Sequence, residues 1–297
     1  MIEFPPLPSG EVPIWNGTAF QIGGSTIAVA AYSKNQAGSG WDDELTELHE
    51  AEAGDGDHPI DRASRARALE ELRRFGVGAN TRVLEIGCSS GFLLKDIQRS
   101  FPQAQIVGAD IVTAPLDRLS RTLKGVPLVQ MDLLQCPLPE QSFDVVIALN
   151  VLEHIEDDEL ALRQITRLLR PGGALVLEVP KGPKYFDYYD AYLRHFRRYE
   201  KRELQRKMVE VGLEQTETRT LGWSLFPVFA VVKKFNRLKY GIRGERCSDL
   251  NALVRAEIRL SKASGLFALA MRIEGSLSWL SMVLPGVRLT AFARKPS

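Results

Sequence analysis

Cysteine is scarce. Cys88, Cys136 and Cys247 are the only three in 297 residues. So few, so far apart, they exclude a disulfide framework and a four-cysteine zinc site. They fit a reducing, cytoplasmic compartment. Long apolar runs are also missing: no stretch reaches the ~18 uncharged apolar residues of a membrane-crossing helix. The opening MIEFPPLPSG has neither the basic start nor the apolar run of a secretory signal. Net charge is nearly absent, since 38 basic and 37 acidic residues leave +1. No nucleic-acid partner is expected from that balance. Repeats and low-complexity tracts are absent. What remains, 44% hydrophobic and 25% charged, is the composition of a folded globular chain. Its length suits one large domain, or one domain with additions.

Charge is distributed unevenly. Residues 1–61 carry 11 acidic groups and one basic group, whereas residues 181–246 carry 16 basic and 8 acidic groups. Residues 1–60 are rich in Gly and Pro and read as an N-terminal extension. Within them TAFQIGG-STIAVAAY predicts two short strands around Gly23-Gly24, and Asp42 to Glu50 a turn or two of helix. From residue 61 the pattern becomes regular. Asp61 to Phe75 has a helical apolar face at Leu69, Leu72 and Phe75. Five apolar segments read as strands: 82–87, 105–110, 127–132, 143–150 and 174–180. Helical patterns separate them at 91–100, 114–123 and 157–169, the last stopped by Arg170-Pro171-Gly172-Gly173. Apolar strands alternating with helices imply a parallel sheet covered on both faces. Lys201 to Val211 follows as a helix, Leu213–Thr220 and Val287–Arg294 as final strands. The organisation expected is an extension over 1–60, a core over 61–220, a helical apolar insertion over 221–286 and a last core strand over 287–297.

Ligands of open α/β sheets bind at the carboxyl ends of strands. Three of those ends carry informative residues. Glu85-Ile86-Gly87-Cys88-Ser89-Ser90-Gly91 joins a strand to a helix. Its glycines remove Cβ atoms where backbone approaches a ligand, and the helix offers unpaired N–H groups to a carboxylate. The Gly-x-x-x-Gly spacing matches neither a dinucleotide fingerprint nor a P-loop. Structural turns give the same letters. Asp110, ending the second strand, can accept two hydrogen bonds from ribose hydroxyls, or serve as a helix cap. Asp132, ending the third, can accept from an adenine amino group while Met131 and Leu133 pack on the ring. An ordinary strand-end aspartate is the alternative.

As a set, these segments resemble the class I S-adenosylmethionine-dependent methyltransferases (the type 11/12 group). VLEIGCSSG is similar to the family's first motif and GAD to its second. QMDLLQCPLPEQSFDVVIALNVLEHIED is similar to the third-to-fourth-strand stretch, and RLLRPGGALVLEVP to the following helix, turn and strand. Leu152-Glu153-His154-Ile155 and HFRRYEKRELQRKMVEVGL (195–213) most resemble the quinone-biosynthesis O-methyltransferases. The resemblance covers residues 80–180 in order and spacing. It implies an α/β, Rossmann-like, doubly wound sheet of seven mostly parallel strands with the last antiparallel, and S-adenosyl-L-methionine as cofactor. It places Glu85, Gly87, Ser89 and Gly91 along the methionine end and ribose. Asp110 would hold the ribose, with Ile111 against adenine; Asp132 and Leu133 would hold the adenine. Asn150 and Val151 would lie beside the sulfonium. Ser89 departs from the glycine of many relatives. Asn150 departs from the glutamate that some quinone enzymes use, with a later Glu and His, to hold a divalent metal. A neutral amide is a poor ligand for a hard cation, so no required metal is expected.

The implied function is methyl transfer to an acceptor, most simply an oxygen of a small-molecule, lipid-like or glycan substrate. Nitrogen or carbon acceptors, or a non-catalytic cofactor-binding protein, are the alternatives. His154 is the first candidate base, with its unperturbed pKa near neutrality; equally, Glu153-His154 positions the next helix. His195 is the second candidate, in an aromatic and basic run. There Arg197 and Arg198 could clamp an anionic acceptor, or form a solvated face beside packed rings. Tyr32, Trp41 and Arg65 are candidate contacts of a lid, or simply structural. Finally, uncharged Leu221–Val232 precedes a basic stretch, and 263–284 adds further apolar residues. Segments 221–246 and 263–284 can rest on an anionic membrane surface, or cap the pocket, or join two copies.

Overall fold

A computed structural model describes residues 2–33, 45, 58–263 and 265–297. Trp41 and the helix expected over Asp42 to Glu50 lie outside them, apart from Leu45. The N-terminal segment folds as a small antiparallel sheet of β1 (Ile14–Trp15), β2 (Phe20–Ile22) and β3 (Ser25–Ile27). The expected turn at Gly23-Gly24 joins β2 to β3, both glycines at positive φ. β4 (Val29–Ala31) then leaves this hairpin for the main sheet.

The main sheet contains β5 (Arg82–Ile86), β6 (Gln105–Asp110), β7 (Leu128–Gln130), β8 (Phe143–Leu149), β9 (Leu169–Pro180), β10 (Glu214–Leu221) and β11 (Arg288–Arg294). Its order is β10-β11-β9-β8-β5-β6-β7-β4. Pairing is parallel from β9 through β8, β5, β6 and β7 to β4, and antiparallel on both sides of β11. The seven expected strands are therefore joined by an eighth. STIAVAAY reads as one strand, but it divides at Ala28: Ser25–Ile27 closes the hairpin and Val29–Ala31 pairs with β7. Only the free edge of β7 tells the chain where to divide.

Both faces of the sheet are buried, so the strands are apolar on both sides. Leu84, Ile86, Val146 and Ala148 point to one face, with Phe20, Leu162, Ile165, Leu204 and Met208. Val83, Val145 and Ile147 point to the other, with Leu72, Leu94, Ile97 and Leu116. The helices α1 (Pro59–Phe75), α2 (Phe92–Ser100) and α3 (Thr113–Thr122) cover the second face. α1 starts on Pro59, whose fixed φ suits a first turn. It ends at Gly76, left-handed at φ +85°, whose N–H meets the Leu72 and Arg73 carbonyls. α4 (Asp158–Leu168) and α6 (Lys201–Glu210) cover the first face. The Asp157 carboxylate caps α4, accepting from Leu160 N–H at 2.9 Å. The helix stops where expected, at Leu168, and residues 170–173 lie in the start of β9, with Gly172 at φ +74° and its N–H donating to Lys295 O. Short α5 (Tyr188–Tyr192) follows β9. Three further helices lie between β10 and β11: α7 (Phe226–Tyr240), α8 (Leu250–Ala263) and α9 (Gly265–Ser276).

Candidate functional site

A cavity of about 870 Å³ opens at the carboxyl ends of β5, β6, β7 and β8, within the ~300–1,000 Å³ range of ligand pockets. The parallel register explains the convergence. Ile86 is level with Ala109 and Asp110 with Gln130 on neighbouring strands, so the three tips end together. Glu85, Gly87, Ser89, Asp110, Ile111, Asp132, Leu133, Asn150 and Val151 all line the cavity, as do His154 and His195.

Gly91 does not. It caps α2 at φ +70°, and a Cβ there would meet Leu119 Cδ1 at 2.5 Å. Its glycine serves helix packing, not ligand approach. Gly87, at φ +72°, is different. A Cβ there would lie 2.5 Å from Val151 Cγ2, so its absence lets the β5 and β8 tips meet across the cavity floor. Ser89 adopts φ +41°, a region that favours glycine. The departure from glycine therefore carries backbone strain, which the sequence did not reveal. Asn150 is also left-handed, at φ +54°, but asparagine tolerates that region. Its N–H donates to Glu178 O, and its side-chain Nδ2 to Glu178 Oε1 at 3.4 Å.

The carboxylates are prepared from below. Asp110 is buried; its Oδ2 accepts from Ser89 N–H at 2.8 Å and its Oδ1 from Val112 N–H at 3.0 Å. Asp132 Oδ1 accepts from Leu134 N–H at 2.9 Å, while Met131 and Leu133 form apolar walls beside it. Glu85 is buried. Burial, and then the Asp110 charge, push its carboxyl well above the usual range. Its Oε2 has no hydrogen-bond partner among the described residues, an acceptor facing the cavity that a bound cationic group would satisfy. Burial likewise pushes the Cys88 thiol up, so it stays protonated.

Beyond the strand tips the cavity wall carries two imidazoles, their rings edge to face at 4.6 Å. His195 Nδ1 lies 2.9 Å from Asp190 Oδ1. Burial would raise the Asp190 carboxyl, but the Arg198 guanidinium, the His195 bond and the Lys233 ammonium hold it well below the usual range. An ionised carboxylate only accepts, so Nδ1 carries the proton and Nε2 the lone pair. Burial lowers the His195 pKa in spite of Asp190, so the ring is neutral at neutral pH. Glu153 lies beneath the two rings, and burial pushes its carboxyl up to about 8. Ligand atoms of Glu153, His154 and His195 all fall within 4.8 Å of one another. Asn150, the position where a metal-holding relative has glutamate, turns instead to Glu178.

Several expectations need correction. Arg198 is committed to Asp190 at 2.7 Å and to the Lys181 carbonyl. Arg197 bonds Asp158 and the Glu156 carbonyl and does not line the cavity. These arginines balance the chain's own carboxylates and have no fork free to clamp an anion. Tyr32 donates to Pro5 O at 2.9 Å and also lies away from the cavity, whereas Arg65 lines it while paired with Asp96. Residues that sequence reasoning passed over complete the site: Lys233 and Arg288 line the cavity, and Asp190 stands behind His195. Arg288 on β11 pairs with Asp61 of α1 at 2.7 Å and Glu178 of β9 at 3.1 Å. No local spacing signals these three. The only hint was Lys233, the first residue of the basic stretch that follows the uncharged run 221–232.

Residues 84–177 match the family model described as "Methyltransferase domain". Over those residues the chain is similar to S-adenosylmethionine-dependent methyltransferases. It is 31% identical over 125 residues to a malonyl-[acyl-carrier protein] O-methyltransferase of Legionella pneumophila, over 41% of this chain and 43% of that one. The chain thus spans under half the length of the curated relatives it matches. In fold it is similar to a solved structure described as a putative sarcosine dimethylglycine methyltransferase from Galdieria sulphuraria. That likeness has TM-score 0.59 and 13% identity, and covers 86% of this chain and 99% of that one. It is also similar to the [4+2]-cyclase SpnF, with TM-score 0.56, 20% identity, and 85% and 92% coverage. Members of one methyltransferase-like fold are thus named for different chemistries, so activity has to be argued from the site.

Proposed function

We propose that this chain binds S-adenosyl-L-methionine and moves its methyl group to an acceptor oxygen of a small-molecule, lipid-like or glycan substrate. The supporting observation is the convergence on one cavity of the three strand-tip groups and an aspartate-oriented, neutral imidazole. Asp110 would accept from the ribose hydroxyls, with Ile111 on the adenine. Asp132 would accept from the adenine amino group between Met131 and Leu133. Glu85, Gly87 and Ser89 would line the path of the methionyl tail. Asn150 and Val151 would stand beside the sulfur. When bound, the cofactor supplies a methyl group already activated on positive sulfur.

The protein's task is then position and proton management. His195 takes the acceptor hydroxyl proton at Nε2 as the oxygen forms its bond to the methyl carbon and the carbon–sulfur bond breaks. Asp190 fixes the ring and stabilises the imidazolium so formed. His154, first choice on sequence grounds, packs edge to face on His195 and shapes the pocket. No step of this reading routes through a divalent metal.

Titrating the protein with S-adenosylmethionine and with NAD tests the cofactor; saturable binding of NAD alone would overturn the reading. A radiolabelled methyl screen tests catalysis. Binding without any labelled product would leave a cofactor-binding protein in place of an enzyme. His195→Ala is expected to lower kcat by about 10²–10⁴-fold with cofactor Kd unchanged. Wild-type kcat in that variant would remove His195 as the base.

A further inference from the structure

α7 is turned inside out. Its buried positions are polar: Lys233 Nζ lies 2.5 Å from Asp187 Oδ1, and Asn236 Nδ2 donates to the Tyr188 hydroxyl. Its solvent face is apolar. Val228, Val231, Phe235 and Leu238 recur at spacings of three and four, which puts them on one stripe of the helix; Ile242, just past the helix end at Gly241, is exposed as well. Val231 is 70% exposed, Leu238 69% and Phe235 58%. A helix that satisfies its polar groups inward and shows this apolar stripe outward is built for an apolar medium on its outer side.

The charges around the stripe decide what that medium is. From Leu221 to Gly244 the chain has no acidic residue. Lys234, Lys239 and Arg243 are exposed beside the stripe. The three-four spacing would also suit a helix pair between two copies. Such a pair would set cations against cations, because no acidic partner is available along the helix, and like charges there repel. An anionic bilayer matches both features: its acyl boundary takes the apolar stripe and its headgroups take the lysines and arginine. Beyond α9, Trp279 and Val283 add further exposed apolar groups, in a stretch whose one acid, Glu274, is buried and bonded to Gly222 and Ser224.

We infer that α7 docks this protein on an anionic membrane surface through the stripe Val228–Val231–Phe235–Leu238 and Ile242 just beyond it, with Lys234, Lys239 and Arg243 on the headgroups. The same helix walls the cavity through Phe229 and Val232. Docking therefore brings the cavity to the bilayer surface, and the acceptor is a lipid-borne hydroxyl. That last point rests on the proposed methyl transfer; the docking does not.

The test is co-sedimentation of the full chain with vesicles of phosphatidylcholine alone and of phosphatidylcholine containing about one third phosphatidylglycerol. Binding needs neither cofactor nor turnover, so it fails or succeeds separately from methyl transfer, which cofactor titration of the same sample reads. Expected is binding to the anionic vesicles at low salt, weakened at high salt. The triple substitution Lys234→Gln, Lys239→Gln, Arg243→Gln is expected to weaken it about tenfold or more. Phe235→Asp with Leu238→Asp should abolish it, with the melting temperature of the free protein held or raised. If the double variant fails to fold, the triple variant, confined to exposed cations, carries the test alone. Absence from the anionic pellet at low salt overturns the inference. So does triple-variant binding equal to wild type, or a dimer by light scattering that Phe235→Asp converts to monomer.

Discussion

At residue scale the site depends on a few side chains whose environment, more than their identity, sets their chemistry. Asp110 is held by two backbone N–H groups, and the proposed function gives it the ribose. Asp110→Ala should weaken S-adenosylmethionine binding by about 1–3 kcal/mol through lost charge-assisted hydrogen bonds, measured by calorimetry. Ser89 sits at φ +41°. Ser89→Val should destabilise the fold by about 1–2 kcal/mol, since a β-branched residue resists that region, while Ser89→Gly should change it little because relieved strain offsets added chain entropy. Denaturant melts of the two variants check the contrast.

Glu153 gives a pH signature. Its folded pKa of about 8 lies above the ordinary value of 4.5. Between those two values the unfolded chain has released the proton and the folded chain retains it. Stability from this group is therefore lost as pH rises through that window. Glu153→Gln should flatten the decline, so that wild type and variant differ in Tm most near pH 8 and least near pH 4.

At element scale, buried ion pairs tie distant segments into one wall. Arg288 joins β11 to α1 through Asp61 and to β9 through Glu178, which Ser64 and Thr290 also bond. Removing one partner of a buried pair leaves the other uncompensated, at a cost of about 3–5 kcal/mol. Arg288→Ala is thus expected to lower the urea midpoint sharply, although no sequence motif contains it. Lys233 and Arg198 play the same part around Asp190, linking α7 to the segment that carries His195. Acidification tests that link in function. His195 is held neutral by burial, so kcat should fall only when pH drops below the ordinary histidine range near 6.5. A fall starting above pH 7 would assign the titration to another group.

At the scale of the whole molecule, one sheet organises both halves of the cavity. The strand tips form the proposed cofactor side; α7, α8 and α9, all between β10 and β11, supply Phe229, Ile258 and Phe267 to the other. Among the described residues no helix is long and apolar enough to cross a membrane. Because the proposed methyl transfer contains no metal step, prior treatment with EDTA should leave turnover unchanged. Activity lost to EDTA and restored by a divalent ion would instead assign the Glu153–His154–His195 cluster to that ion.

The alternating apolar strands and helices from residue 61 onward could be read directly, because a strand buried on both faces has to be apolar along its length and few other elements are. The three acidic or glycine-rich strand ends were legible for the same reason: parallel register alone brings them together. What Gly91, Arg197 and Arg198 touch was not legible, because their partners, Leu119 and the carboxylates of Asp158 and Asp190, lie remote in sequence or on another element. The division of 25–31 between two sheets, the orientation of His195 by Asp190, and the outward turn of α7's apolar face were fixed by packing. Local sequence sets periodicity and backbone preference over a few residues. Which side of a helix is buried, and which charge faces which, depends on surfaces that exist only once the chain has closed on itself.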